Sequence, residues 1–92
     1  MARLVFRVHA IRRMFERQIR EEDVRQVLAH GETIEEYPDD LPYPSRLVLG
    51  RVGGRSLHVV SAHNHEDDEI IVVTVYEPDP AKWDDKFRRR SK

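Results

Sequence analysis

Polar and apolar positions along this chain follow two different periods, and each change of period marks an element. Arg3-Leu4-Val5-Phe6-Arg7-Val8 is short and rich in branched and aromatic side chains, which predicts a strand. From His9 to Arg17 the spacing becomes helical. At about 100° per residue, His9, Arg12, Arg13, Glu16 and Arg17 share one arc, while Ala10, Ile11, Met14 and Phe15 share the other, the predicted core face. Gln18-Ile19-Arg20 interrupts this pattern. Glu21, Glu22 and Asp23 then suit the first turn of a second helix, where carboxylates complement the positive end of the dipole. That helix is expected to bury Val24, Val27 and Leu28 and to stop at Gly31, a residue able to take the left-handed conformation common after helix ends. His30 complements the dipole in its last turn.

Beyond Gly31 the period falls to two. Glu32 to Tyr37 fits an edge strand, and Pro38 to Pro44 a loop, because Pro38, Pro42 and Pro44 lack ladder donors. Arg46 to Val52, Gly53-Gly54 and Arg55 to Ala62 predict a hairpin with a two-residue turn, in which Val52 faces Arg55, Leu49 faces His58 and Leu47 faces Val60. A polar connection from His63 to Glu69 leads to Ile70 to Glu77, the most apolar run and the expected central strand. Pro78 and Pro80 end it, and a short segment around Trp83 follows. The order strand, helix, helix, strands predicts an α+β domain: an antiparallel sheet of three to four strands with both helices on one face.

The 92 residues suffice for one domain, expected over residues 1–87, with a basic tail at 88–92. The absence of cysteine excludes disulfides, cysteine-based zinc sites and a thiol nucleophile. No apolar run approaches the roughly 18–20 residues of a membrane span, and no signal-peptide centre is present, so a cytoplasmic protein without membrane partners is expected. The net charge of −1 hides blocks of alternating sign: +5 over residues 1–20, −7 over 21–45, +3 over 46–60, −6 over 61–79 and +4 over 80–92. If the positive blocks converge, the fold presents a surface for polyanions. The stripe of His9, Arg12, Arg13, Glu16 and Arg17 combines guanidinium groups, an imidazole and a carboxylate, groups able to hold a phosphate and move a proton beside it. A solvated helix face is the plainer reading of the same stripe.

His9-Ala10 with Arg13-Met14 and Glu16-Arg17-x-Ile19, Gly31 before Ile34-Glu35-Glu36-Tyr37, Leu57-His58-Val59-Val60, and Thr74-Val75-Tyr76-Glu77-Pro78 with Trp83 together resemble the prokaryotic family called domain of unknown function 4258. The resemblance spans about Arg3 to Trp83, and its strand, helix, helix, sheet order is similar to that of RelE-type ribonuclease toxins. It implies the toxin of a type II toxin–antitoxin pair, an RNA endonuclease held by a cognate antitoxin of the zinc-finger type. Family members often carry Gly or Asn where this chain has Gln18, and a small polar N-cap where it has Arg20.

Metal-independent RNA cleavage needs a base for the ribose 2′-hydroxyl, an acid for the leaving oxygen and positive charge at the phosphate. His9 and His58 are the acid and base candidates, Arg13 a phosphate ligand, Glu16 a base or an orienting group, and Tyr76 a proton donor or stacking ring. Arg12, Arg17, Arg46 and Thr74 are the expected RNA contacts, Thr74 sharing a strand face with Tyr76. No cofactor or metal is expected. Two His and four acids between His63 and Glu69 could supply ligands, but they lack ligand periodicity and lie in a solvated connection. His58, between Leu57 and Val59 and opposite Leu49, suits a satisfied core histidine equally well, and Tyr76 and Trp83 suit packing. The alternative function is a non-catalytic module that binds RNA or a protein.

Overall fold

In a computed structural model describing residues 2–91, the chain runs β1 (Arg3–Phe6), α1 (Val8–Arg17), α2 (Glu21–His30), β2 (Glu32–Tyr37), β3 (Ser45–Val52), β4 (Arg55–Asn64) and β5 (Glu69–Tyr76). The central hairpin has the expected register, with Val52 opposite Arg55, Leu49 opposite His58 and Leu47 opposite Val60. Gly53 and Gly54 take φ of 58° and 85°. A two-residue turn with two positive φ values matches the twist of the flanking strands, and glycine enters it without a Cβ penalty.

The α+β class holds, but the sheet is larger than expected and mixed. It has five strands in the order β1-β5-β4-β3-β2, and β1 pairs parallel with β5, from Arg3 opposite Glu69 to Phe6 opposite Val72. The reason is the crossover. The chain leaves β1, lays both helices across one face, starts β2 at the far edge and returns through an antiparallel meander, so the last strand arrives beside the first.

The core lies between helices and sheet: Ala10 and Met14 of α1 and Val24 and Val27 of α2 meet Val48, Leu57, Val59, Val72 and Val75. Leu28 packs at its margin. Contrary to expectation, Ile11 and Phe15 stay outside, 53% and 86% exposed. Helical spacing says which residues share an arc, whereas the width of the covered arc depends on what lies beneath it, and here only Ala10 and Met14 are covered.

Both helix ends depart from their predicted chemistry. Gln18, not Gly31, is left-handed (φ 55°, ψ 46°), and its N–H donates to the Met14 and Phe15 carbonyls. Gly31 is extended at φ −78°, ψ −177°. A Cβ there would lie 2.4 Å from the Val27 carbonyl oxygen and 2.6 Å from that of Leu49, so close approach of α2 to β3 explains the glycine. At the start of α2, Arg20 provides no side-chain cap; Asp23 reaches back instead, accepting the Arg20 N–H at 2.9 Å. That bond holds the buried Asp23 carboxyl below the usual carboxylate range, against its burial and with help from Arg20 and Arg55.

Candidate functional site

Strand alternation sends Leu57 and Val59 toward the helices and His58 and Val60 to the far face. The register extends this division, setting Tyr76 beside His58 and Thr74 beside Val60, as the alternation rule predicted for that pair. Residues 78–91 fold across this far face. Trp83 is buried there, the Asp84 carboxylate accepts the Lys86 and Arg88 N–H groups, and Ser91 N–H donates to the Lys82 carbonyl at 2.8 Å. Arg88 clamps both oxygens of Glu32 at 2.6 and 2.7 Å. Residues 88–91, expected as a tail outside the domain, are therefore docked on its sheet.

His58 is fully buried at the centre of this cover. Its Nε2 lies 2.8 Å from the Phe87 carbonyl oxygen, which only accepts, so Nε2 carries the proton. Its Nδ1 lies 3.2 Å from the Tyr76 hydroxyl, which donates to it. Trp83 and Tyr76 meet the imidazole edge-on, with centroids at 4.4 and 5.2 Å. Burial pushes the His58 pKa down, with the Phe87 carbonyl pulling the other way, and burial pushes the Tyr76 phenol up. Both groups are neutral at pH 7.

Beside them stand groups that the sequence reading did not select. Tyr37 donates its hydroxyl to Glu35, and burial first, then this carboxylate, raises the phenol's pKa. Arg90 Nε lies 3.5 Å from Glu35 Oε2, and its guanidinium sits 4.7 Å above the Trp83 ring. Glu35 reaches the far face because of a bulge between Thr33 and Glu35, which pairs it with Leu47. Without that extra residue, Glu35 would oppose Arg46 and point toward the helices. The one sequence signal was the Glu35/Tyr37 alternation, which places both on a common face wherever that face points.

The predicted site residues thus divide between two surfaces. His58, Tyr76 and Thr74 share the far face. His9, Arg12, Arg13, Glu16 and Arg17 lie exposed on α1, across the sheet from them, with Arg13 and Glu16 3.8 Å apart. The two histidines are not brought together. Arg46 also points to the helix-bearing face and donates to Thr33 Oγ1 at 2.9 Å. Arg55 ties the hairpin to the end of α1 through the Arg17 and Gln18 carbonyls at 3.0 and 2.7 Å. In the His63 to Glu69 connection, Asn64 accepts the Glu66 and Asp67 N–H groups and shapes a turn. Among the described residues, no three His, Asp or Glu side chains converge as metal ligands.

The chain belongs to the family described as Domain of unknown function (DUF4258), whose sequence model matches residues 6–77. The match stops before Trp83 and the whole segment that covers the far face. No curated protein and no solved structure matches the chain. Among the described residues, no helix is long and apolar enough to cross a membrane.

Proposed function

We propose that this chain is a metal-independent endoribonuclease, the toxin of a type II pair, and that it cleaves RNA on the far face of the sheet. The observation that carries this reading is the gathering of Glu35, Tyr37, His58, Tyr76 and Arg90, from three strands and the C-terminal segment, on one face. A segment needed only as a cover would shield a sheet with apolar groups, since buried polar groups cost stability unless each is paired. Glu35 takes the proton of the ribose 2′-hydroxyl, whose oxygen bonds to phosphorus. The bond from phosphorus to the 5′-oxygen breaks, a phenol of Tyr37 or Tyr76 protonates that oxygen, and Arg90 balances the charge on the phosphoryl oxygens. His58 is a positioning residue that holds the Tyr76 hydroxyl. RNA enters when residues 78–87 lift away from His58, which they bury in the closed state, while Arg90 stays on the face through its ion pair with Glu35.

The test is cleavage of a defined RNA by the purified chain. Glu35→Gln and Arg90→Ala each lower the rate by about 10²- to 10⁴-fold, whereas His9→Gln does not, and the products carry 2′,3′-cyclic phosphate and 5′-hydroxyl ends. Intact RNA with folded wild-type chain, or full activity in Glu35→Gln, overturns the proposal.

One observation favours a second reading, a protein-binding module. Val8, Ile11 and Phe15, 73%, 53% and 86% exposed, form an apolar stripe at helical spacing on α1. Arg7 and Arg12 beside it are exposed and form no ion pair among the described residues. An apolar stripe rimmed by unpaired cations fits an acidic amphipathic segment of another protein. Under the toxin reading that protein is the antitoxin, of the zinc-finger type. Co-purification with the neighbour-encoded protein, lost in Phe15→Asp, is the expected result.

A further inference from the structure

Residues 78–87 cross the far face with little to hold them there. They contribute nothing to the core in which the helices meet the sheet, and the family match ends before they begin. Asp79 and Asp84 turn the segment on itself: Asp79 accepts the Ala81 N–H, and Asp84 the Lys86 and Arg88 N–H groups. Asp84 N–H donates to the Arg89 carbonyl and Ser91 N–H to the Lys82 carbonyl, both at 2.8 Å, so residues 82–84 lean on 89–91 rather than on a strand. Among the described residues, a single hydrogen bond joins 78–87 to the sheet, from His58 Nε2 to the Phe87 carbonyl at 2.8 Å. Its companion is the buried Trp83 ring, edge-on to the same imidazole at 4.4 Å.

Past Phe87 the chain is tied down again. Arg88 clamps Glu32 and Arg90 pairs with Glu35, both on β2, so residues 78–87 form a strap fixed at β5 on one side and at β2 on the other. A strap with both ends held loses little chain entropy on closing, and it can open without unfolding what lies beneath. Opening breaks the bond to His58 and the two backbone bonds to 89–91, and it gives each of those groups to water.

The group that latches the strap is one that a proton changes. Beneath the closed strap the imidazole is neutral, with Nε2–H given to Phe87 and Nδ1 accepting the Tyr76 hydroxyl at 3.2 Å. A proton on Nδ1 removes that acceptor, so the Tyr76 hydroxyl must turn to accept and its own proton loses its partner. Burial under Trp83 penalises the imidazolium and outweighs the pull of the Phe87 carbonyl. Of the charged neighbours, Glu35 of β2, to which Tyr37 donates, favours the cation and Arg90 opposes it, and these two pair with each other. We infer that the strap is a proton-operated gate: His58 latches residues 78–87 over the far face at neutral pH and releases them on acidification. Once released, the imidazole is solvated and returns toward its ordinary value of 6.5. Each pH unit below that, down to the closed-state value, raises the ratio of open to closed strap by up to about tenfold. The inference rests on the nuclease reading only for what the opening admits.

Trp83 is the chain's one tryptophan, so its fluorescence reports the strap directly. As pH falls from about 7.5 to about 5, the span over which histidine titrates, its emission moves to the red and its quenching by acrylamide rises severalfold, while the far-UV circular dichroism of the full chain is unchanged. His58→Gln keeps a donor for Phe87 but cannot titrate, and it holds Trp83 protected across the range although His9, His30, His63 and His65 remain. Glu32→Gln weakens the far anchor without touching His58 and moves the midpoint to higher pH, a result that does not depend on whether His58→Gln folds. Trp83 still protected at the acid end, protection lost together with the circular dichroism, an undiminished pH step in His58→Gln, or an unmoved midpoint in Glu32→Gln each overturns the inference. None of these measurements uses RNA. A gated Trp83 in a chain that leaves RNA intact keeps the gate and sinks the nuclease proposal, while RNA cleavage with Trp83 protected at every pH does the reverse.

Discussion

The far face of the sheet and the outer face of α1 carry the same residue types in opposite states. On the far face His58, Tyr76, Glu35, Tyr37 and Arg90 are held by protein partners beneath a folded segment. On α1, His9, Arg12 and Arg17 stand exposed, and the apolar Ile11 and Phe15 are exposed with them. The first surface has its bonds made within the chain, and its chemistry becomes available only on opening. The second has unmet apolar and charged surface, and it is ready for a partner without rearrangement.

The largest expected contrast is in stability. His58→Ala opens a cavity and leaves the Phe87 carbonyl and the Tyr76 hydroxyl unpaired, a loss of about 3 kcal/mol in urea unfolding. His9→Ala should change stability by no more than about 0.5 kcal/mol. Equal losses would break the distinction between the two surfaces.

Next in size is the pH dependence. The folded pKa of His58 lies below the ordinary value of 6.5, so as pH falls the unfolded chain takes up its proton first. The contribution of His58 is therefore present above pH 6.5 and is lost as pH drops from there toward the folded value, at up to about 1.4 kcal/mol per pH unit. Stability measured across this range in His58→Gln should lack that loss. The Asp23 contribution is lost further down, below its ordinary value of 3.8, and is untouched by the substitution.

A smaller effect sharpens the electrostatics of α1. RNA affinity should fall with salt, and Arg90→Ala should reduce the logarithmic slope by about 1, a change of roughly threefold between 50 and 200 mM salt, whereas Arg12→Ala and Arg17→Ala, across the sheet from the cleavage face, should leave it unchanged. The smallest effect is on the stripe itself: Phe15→Ser should shift stability by no more than about 0.5 kcal/mol, since the ring is 86% exposed. A larger loss would mean that Phe15 packs against its own chain.

Much of the fold was legible from local pattern. The hairpin register followed from Gly53-Gly54, and the helices from their spacing and the acids at residues 21–23, because turn chemistry and periodicity act over a few residues. The candidate site was legible only in pieces. Tyr76 and Thr74 could be placed together by alternation, but not with Glu35, which a bulge re-aims, nor with Arg90, which arrives from residues after β5.

By itself the sequence determined which residues share a face of each element, since backbone geometry sets that within one helix or strand. Only the tertiary structure decided which faces meet: that β1 joins β5, that α1 buries Ala10 and Met14 but leaves Phe15 in solvent, and that the C-terminal segment closes over His58. These contacts join residues far apart in the chain, and their formation depends on how all elements share one small core, which no local pattern encodes.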